Sequence, residues 1–261
     1  MRMSSAIVTG ASSGIGAVYA DRLAARGYDL ILVARDTERL SDRANRIADR
    51  YGVATTPLPL DLSRDGDMDT LLGRIRRDQS IDLIVNSAGV GPHATVIASD
   101  DVSLDRMVFL NVNVLHTLTV AAAKAFAARG SGAIINLASV VALMPERFNG
   151  SYAAGKAFVV SLSQALDAEL RPQGVRIQAV LPGFTRTEIF ERAGVDTSAI
   201  PTEMMMDPGD MVDAALAGFD AGEVITIPSL ENEALWAAFE SARLQMSPYL
   251  SLNKPAARFA L

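Results

Sequence analysis

Short apolar runs recur along this chain with longer segments of helical period between them, and no other feature limits the possible folds so strongly. Strand-like runs are read at Ser5 to Thr9, Asp29 to Ala34, Ala54 to Pro59, Asp82 to Asn86, Ala133 to Leu137, Arg176 to Leu181 and Val224 to Ile227. Several are apolar throughout, such as Leu30-Ile31-Leu32-Val33-Ala34, as expected of strands covered by helices on both faces. Helical segments are expected from about Gly16 to Arg26, Thr37 to Arg50, Asp67 to Arg77, Leu104 to Arg129 and Tyr152 to Leu170, each long enough to cross between parallel strands. The fold class that follows is α/β: one Rossmann-type, doubly wound domain with a seven-stranded, mostly parallel sheet and helices on both faces. No repeat, low-complexity tract or linker divides the 261 residues, so the whole chain reads as a single domain, with a C-terminal extension from about residue 228.

Composition removes several classes of function. A net charge of −6 disfavours a phosphate-backbone partner, so no nucleic acid is expected. Without cysteine there is no disulfide, thiolate catalyst or cysteine metal site, and the isolated His93 and His116 make a poor ligand set, so no metal is expected. The opening residues enter a strand-like run at once and no uninterrupted apolar stretch approaches the roughly 20 residues of a membrane span. A soluble cytoplasmic protein is the expectation.

Two motifs carry chemistry. Between the first strand and first helix lies Thr9-Gly10-Ala11-Ser12-Ser13-Gly14-Ile15-Gly16, where glycines allow a sharp turn and the helix N-terminus offers free N–H groups to a pyrophosphate. Farther on, Tyr152 and Lys156 stand four apart at the start of a helix, so the ammonium can favour ionisation of the phenol and make it an acid/base. Ser139 follows a strand at its carboxyl end, where open α/β sheets hold ligands, and can hydrogen-bond a substrate oxygen. The charge-rich stretch Arg35 to Arg50 mixes signs at helical spacing and reads, Arg35 excepted, as a solvated helix face.

Taken in order, these residues resemble the short-chain dehydrogenase/reductase family from about residue 4 to 227. The matching positions are Thr9 to Gly16, Asn86-Ser87-Ala88-Gly89, Asn111, Ser139, Tyr152-x-x-x-Lys156, and Pro182-Gly183 with Thr187; Ser87 departs from the second Asn usual there. The resemblance implies hydride transfer between a nicotinamide cofactor and a carbonyl or secondary alcohol. Tyr152 would be the general acid/base, Lys156 would lower its pKa and hold the nicotinamide ribose, and Ser139 would orient the substrate. Asn111 matches the position that holds a relay water, with Asn113 the competing candidate. Implied cofactor contacts are Gly10, Ser12, Ser13, Gly14, Ile15, Gly16, Asn86, Ala88, Gly89, Tyr152, Lys156, Pro182, Gly183, Thr185, Thr187 and the adenine pair Asp61-Leu62.

At the end of the second strand Arg35 occupies the position where NAD-preferring members carry an acid, with Asp36 one residue later, so NADP(H) is the expected cofactor and NAD(H) the alternative. A substrate loop is expected at about 184–207, with Phe184 and Phe190 in it. Its Met204-Met205-Met206 run reads equally as lid or as core filler. Val141, Met144 and His93 complete the candidate pocket, which lacks clustered basic residues and so suits a neutral, partly apolar ketone or secondary alcohol. The tail from Glu231, with Trp236, Phe239 and Tyr249, reads either as a pocket cover or as a subunit contact, and the family implies a homodimer or homotetramer. A dinucleotide sensor without catalysis would be expected to have lost Ser139, Tyr152 or Lys156, and none is lost.

Overall fold

In the computed structural model, which describes residues 4–194 and 196–259, seven strands form one sheet. They are β1 (Ser5–Thr9), β2 (Asp29–Ala34), β3 (Thr55–Pro59), β4 (Ile81–Asn86), β5 (Gly132–Leu137), β6 (Val175–Val180) and β7 (Ile225–Thr226). All neighbours are parallel, in the order β3-β2-β1-β4-β5-β6-β7. Alternation along each strand sends side chains to two cores. Ala6, Val8, Leu30, Leu32, Leu83 and Val85 pack on one face against α1 (Gly14–Ala25), α2 (Thr37–Tyr51) and α8 (Pro208–Asp220), through side chains such as Tyr19, Leu23, Leu40 and Met211. On the other face Ile7, Ile31, Val33, Ile84, Ile134 and Ile177 meet α3 (Asp65–Arg77), α5 (Leu115–Ala127) and the end of α6 (Gly150–Leu170), through Leu71, Ile75, Leu118, Phe126 and Leu170. Sealing both faces explains why these strands carry almost no polar alternation.

The expected helices all form, with shifted ends, and three differences have physical causes. The segment expected as one helix from Leu104 to Arg129 begins earlier, as α4 (Asp101–Val108), widens into a π-helical turn at Phe109–Val114 and continues as α5. Asp100 starts it by accepting a hydrogen bond from the Ser103 N–H. The stretch Asp101–Ala127 has the length and mean hydropathy of a membrane span, although Asp105, Arg106, Asn111, Asn113 and His116 keep it from being an uninterrupted apolar run. Half of its most apolar window is nevertheless buried, as befits a helix packed on a sheet. Finally, α8 was not expected. Its opening Pro208-Gly209-Asp210 reads as a turn, yet Asp207 caps it through the Gly209 N–H and Pro208 occupies the first turn, where no N–H is missed.

By Cα packing the chain divides at Pro228–Ser229 into two compact units. In the second, α9 (Glu233–Gln245) is capped by Asn232, buries none of its residues and stacks Trp236 on Phe239 at 5.3 Å. One short helix of the first unit, α7 (Ile189–Arg192), lies in the stretch read as a substrate loop. Residues 195, 260 and 261, which fall in the stretches read as loop and extension, lie outside the described residues.

Candidate active site

The chain leaves β1 toward β2 and β3 but leaves β4 toward β5 and β6, so a crevice opens between the carboxyl ends of β1 and β4. Thr9 closes its floor. The buried Thr9 Oγ1 accepts the N–H groups of Ser87 and Ala88 at 3.0 and 3.1 Å, and so ties the turn after β4 to the end of β1. Gly10 follows at φ +68°, and a Cβ there would stand 3.1 Å from Ala88 Cα and Ser87 O. A Cβ on Gly16 would stand 2.5 Å from the Gly10 carbonyl oxygen, so only glycine lets the turn lie on the first turn of α1. Ser13, the N-cap of α1, makes no side-chain capping bond and the first turn holds no acid, which leaves backbone N–H groups for an anion. This cradle, with Ser12, Gly14 and Ile15 part-buried along it, fits a pyrophosphate.

Ser139 lies just past β5, its Oγ donating to the Pro182 carbonyl at 3.3 Å and accepting from the Val141 N–H at 3.4 Å. The turn Val140–Leu143 that follows packs on α6, the helix carrying Tyr152 and Lys156. That helix starts at Asn149, whose Oδ1 accepts the Tyr152 N–H at 3.0 Å while its Nδ2 donates to the Ala94 carbonyl at 2.7 Å. The Lys156 ammonium donates to the Leu137 carbonyl at 2.8 Å and lies 5.7 Å from the centre of the Tyr152 ring. Burial pushes Lys156 down to about 8. Burial also pushes Tyr152 up to about 12, contrary to the expected lowering by Lys156. The cost of dehydrating a phenolate wins over an ammonium that sits across the ring and is directed to a backbone carbonyl.

Asn111 lies in the π-helical turn, a form of helix that favours functional positions. Its side chain is buried and doubly bonded to Val90, accepting from the N–H at 3.0 Å and donating to the carbonyl at 2.9 Å, whereas Asn113 is exposed. A Cβ on Gly89 would stand 2.9 Å from Asn111 Oδ1, so the same side chain backs the turn at Ala88 and Gly89. Asn86 turns inward: its Nδ2 donates to Thr119 Oγ1 at 3.1 Å and to Asn136 Oδ1 at 2.9 Å, and Asn136 Nδ2 reaches Ser163 Oγ at 3.1 Å. Its side chain thus serves the sheet.

On the β2 side Arg35 is exposed and forms no salt bridge among the described residues. Asp36 is occupied as the cap of α2, accepting the Arg39 N–H. Asp61, its carboxyl held low chiefly by the Ser63 hydroxyl, lies within the field of Arg35, while the Leu62 side chain is packed in the core and leaves only its backbone to a ligand. Arg39 is exposed, as a solvated face requires, and its guanidinium also grips Glu188 with two hydrogen bonds, at 2.9 and 2.6 Å.

Past β6 the loop is pinned at its ends, Arg186 N–H donating to the Met206 carbonyl and Met206 N–H to the Phe184 carbonyl, each at 2.9 Å. Buried Thr185 donates to the Gly183 carbonyl at 3.2 Å, and Thr187 Cβ lies 3.4 Å from where a Gly14 Cβ would be, so the segment after Pro182 passes over the glycine turn. Phe184 lies between Phe148 and Phe190, at 6.4 and 6.0 Å. A cavity of about 490 Å³, lined by Phe190, Ile200, Met205 and Arg186 among others, lies within the loop. Val141 is buried, Met144 part-buried and His93 exposed. The methionine run divides: Met206 packs on the core and Met204 is exposed. Sequence reasoning missed Thr9 and Asn149 as fixing residues and the Arg39–Glu188 pair. An Asn three residues before Tyr152 is a readable cap signal, whereas nothing links positions 39 and 188.

The sequence model of short chain dehydrogenases matches residues 4–197. The chain belongs to the short-chain dehydrogenase family. Among solved structures, a short-chain dehydrogenase from Sphingobium yanoikuyae in complex with NADPH is 42% identical, with a TM-score of 0.95, over 98% of this chain and 100% of that one. The bulky-bulky ketone specific alcohol dehydrogenase from Comamonas testosteroni is 38% identical, with a TM-score of 0.92, over the full length of both chains. The very-long-chain 3-oxoacyl-CoA reductase of Anas platyrhynchos is 32% identical over 70% of this short-chain dehydrogenase, which spans only 60% of that relative's length.

Proposed function

We propose that this short-chain dehydrogenase interconverts bulky, neutral ketones and secondary alcohols with NADP(H). The observation that carries the reading is the Tyr152 and Lys156 pair, with the ammonium fixed 2.8 Å from the Leu137 carbonyl at the end of the strand that leads to Ser139. Bound nicotinamide supplies the hydride. Tyr152 donates the proton to the carbonyl oxygen, and a phenol raised to about 12 by burial is fully protonated at neutral pH, the form that reduction needs. Lys156 is charged below about pH 8, and the N–H groups not given to Leu137 would serve the phenolate left by that transfer and hold the ribose hydroxyls. Ser139, held only by long hydrogen bonds, turns its hydroxyl to the substrate oxygen.

Arg35 takes the 2′-phosphate, supported by its exposure, by the engagement of Asp36 as a helix cap, and by the bound NADPH of the Sphingobium relative. The bulky, neutral substrate class is supported by the Phe148, Phe184 and Phe190 cluster and by the specificity named for the Comamonas relative. The test is titration of the protein with NADPH and NADH, followed by turnover of a panel of diaryl and branched ketones. Tyr152→Phe should bind NADPH within about twofold of wild type and lose at least about 100-fold in turnover. Retained turnover would refute the role of Tyr152.

A further inference from the structure

Arg39 and Glu188 are 149 residues apart in sequence, yet their side chains meet in a two-point ion pair at 2.9 and 2.6 Å. Arg39 stands in the first turn of α2, beyond β2, on one side of the crevice between β1 and β4. Glu188 ends the segment that leaves β6, on the other side, and its neighbour Thr187 passes within 3.4 Å of a Cβ position on Gly14. The pair therefore completes a ring over the pyrophosphate cradle, through the glycine turn, α2 and the post-β6 segment.

Two properties suit this ring to opening. Both side chains are part-exposed, so water can replace each partner. Glu188 also accepts Arg192 of α7 at 2.6 Å, so its carboxylate keeps a partner when Arg39 swings away.

We propose that the Arg39–Glu188 pair is a latch that slows departure of the coenzyme, with Glu188 a positioning residue that touches neither substrate nor reacting atoms. The latch rests on the nicotinamide-nucleotide reading given above. Dissociation is measured by stopped flow, following NADPH or NADH fluorescence as excess oxidised nucleotide displaces it, for wild type, Glu188→Gln, Arg39→Gln and the double variant. Each single variant should raise the dissociation rate about fivefold at low salt, the worth of a well-formed exposed pair, for NADPH and NADH alike. The double variant should add nothing further, because both changes remove one interaction. Wild type should approach the variants as salt is raised to about 0.5 M.

An unchanged rate in Glu188→Gln overturns the latch. So does a pattern in which Arg39→Gln weakens NADPH alone and Glu188→Gln does nothing, because Arg39 is then a phosphate ligand. Failure of wild type to bind either nucleotide overturns the coenzyme reading and the latch with it, a result distinct from binding with an unaltered rate.

Discussion

Replacing Lys156 with methionine should make the protein more stable and abolish its turnover, and the gain should depend on pH in a calculable way. Burial has carried this lysine from its ordinary 10.5 to about 8. At about 1.36 kcal/mol for each tenfold change in proton affinity, the buried charge costs the fold about 3 kcal/mol. Methionine fills the same space without charge, but leaves the Leu137 carbonyl without its donor, which returns about 1 kcal/mol. Below pH 8 the lysine is protonated in both the folded and the unfolded chain, and the whole penalty is present. Between about 8 and 10.5 the unfolded chain still holds the proton that the folded chain has released, so wild-type stability rises with pH while that of the variant does not. Lys156→Met should therefore exceed wild type by about 2 kcal/mol at pH 7 and by close to nothing at pH 9.5. Urea unfolding followed by circular dichroism at the two pH values measures this, and all other titrating groups cancel in the difference. A stability difference that is the same at both would refute the buried-charge argument, whatever happens to activity.

Two further outcomes are expected. Thr9→Val keeps the shape of the side chain but strands the N–H groups of Ser87 and Ala88, so urea unfolding should show a loss of about 2–4 kcal/mol, with Thr9→Ser close to wild type. Arg35→Asp should cut the preference for NADPH over NADH by at least about tenfold in fluorescence titration, because it sets a negative charge against the 2′-phosphate; an unaltered ratio would move the specificity residue elsewhere.

What could be read from sequence was whatever repeats locally. The β1 and β2 runs declare themselves because burial on two faces demands apolar residues at every position. Gly10, Gly16, Tyr152 and Lys156 declare themselves because their roles depend on spacings within one turn or one helix. The misses lie elsewhere. The π-helical turn at Phe109–Val114 has no distinct period in so short a span, and α8 hides behind Pro208-Gly209. Arg39 looks like any charged helix residue until the fold brings Glu188 to it. Local spacing brings Lys156 close to Tyr152, but the sign of the phenol's pKa change follows from the loss of water around its anion, which spacing does not reveal.

The buried amides beneath the site limit how this sequence can drift. Asn86 and Asn136 are directly paired across β4 and β5, and their side chains join Thr119 of α5 and Ser163 of α6 in one hydrogen-bonded chain. A slip of β5 by one residue would carry Asn136 to the opposite face and move Ser139, three residues on, away from Tyr152. Any one of the four replaced by an apolar residue strands its neighbours in the core, whereas two or more exchanged together need not. Among relatives that keep Ser139 in place, these four positions should change as a block, so that a substitution at Asn136 foretells another at Asn86, Thr119 or Ser163.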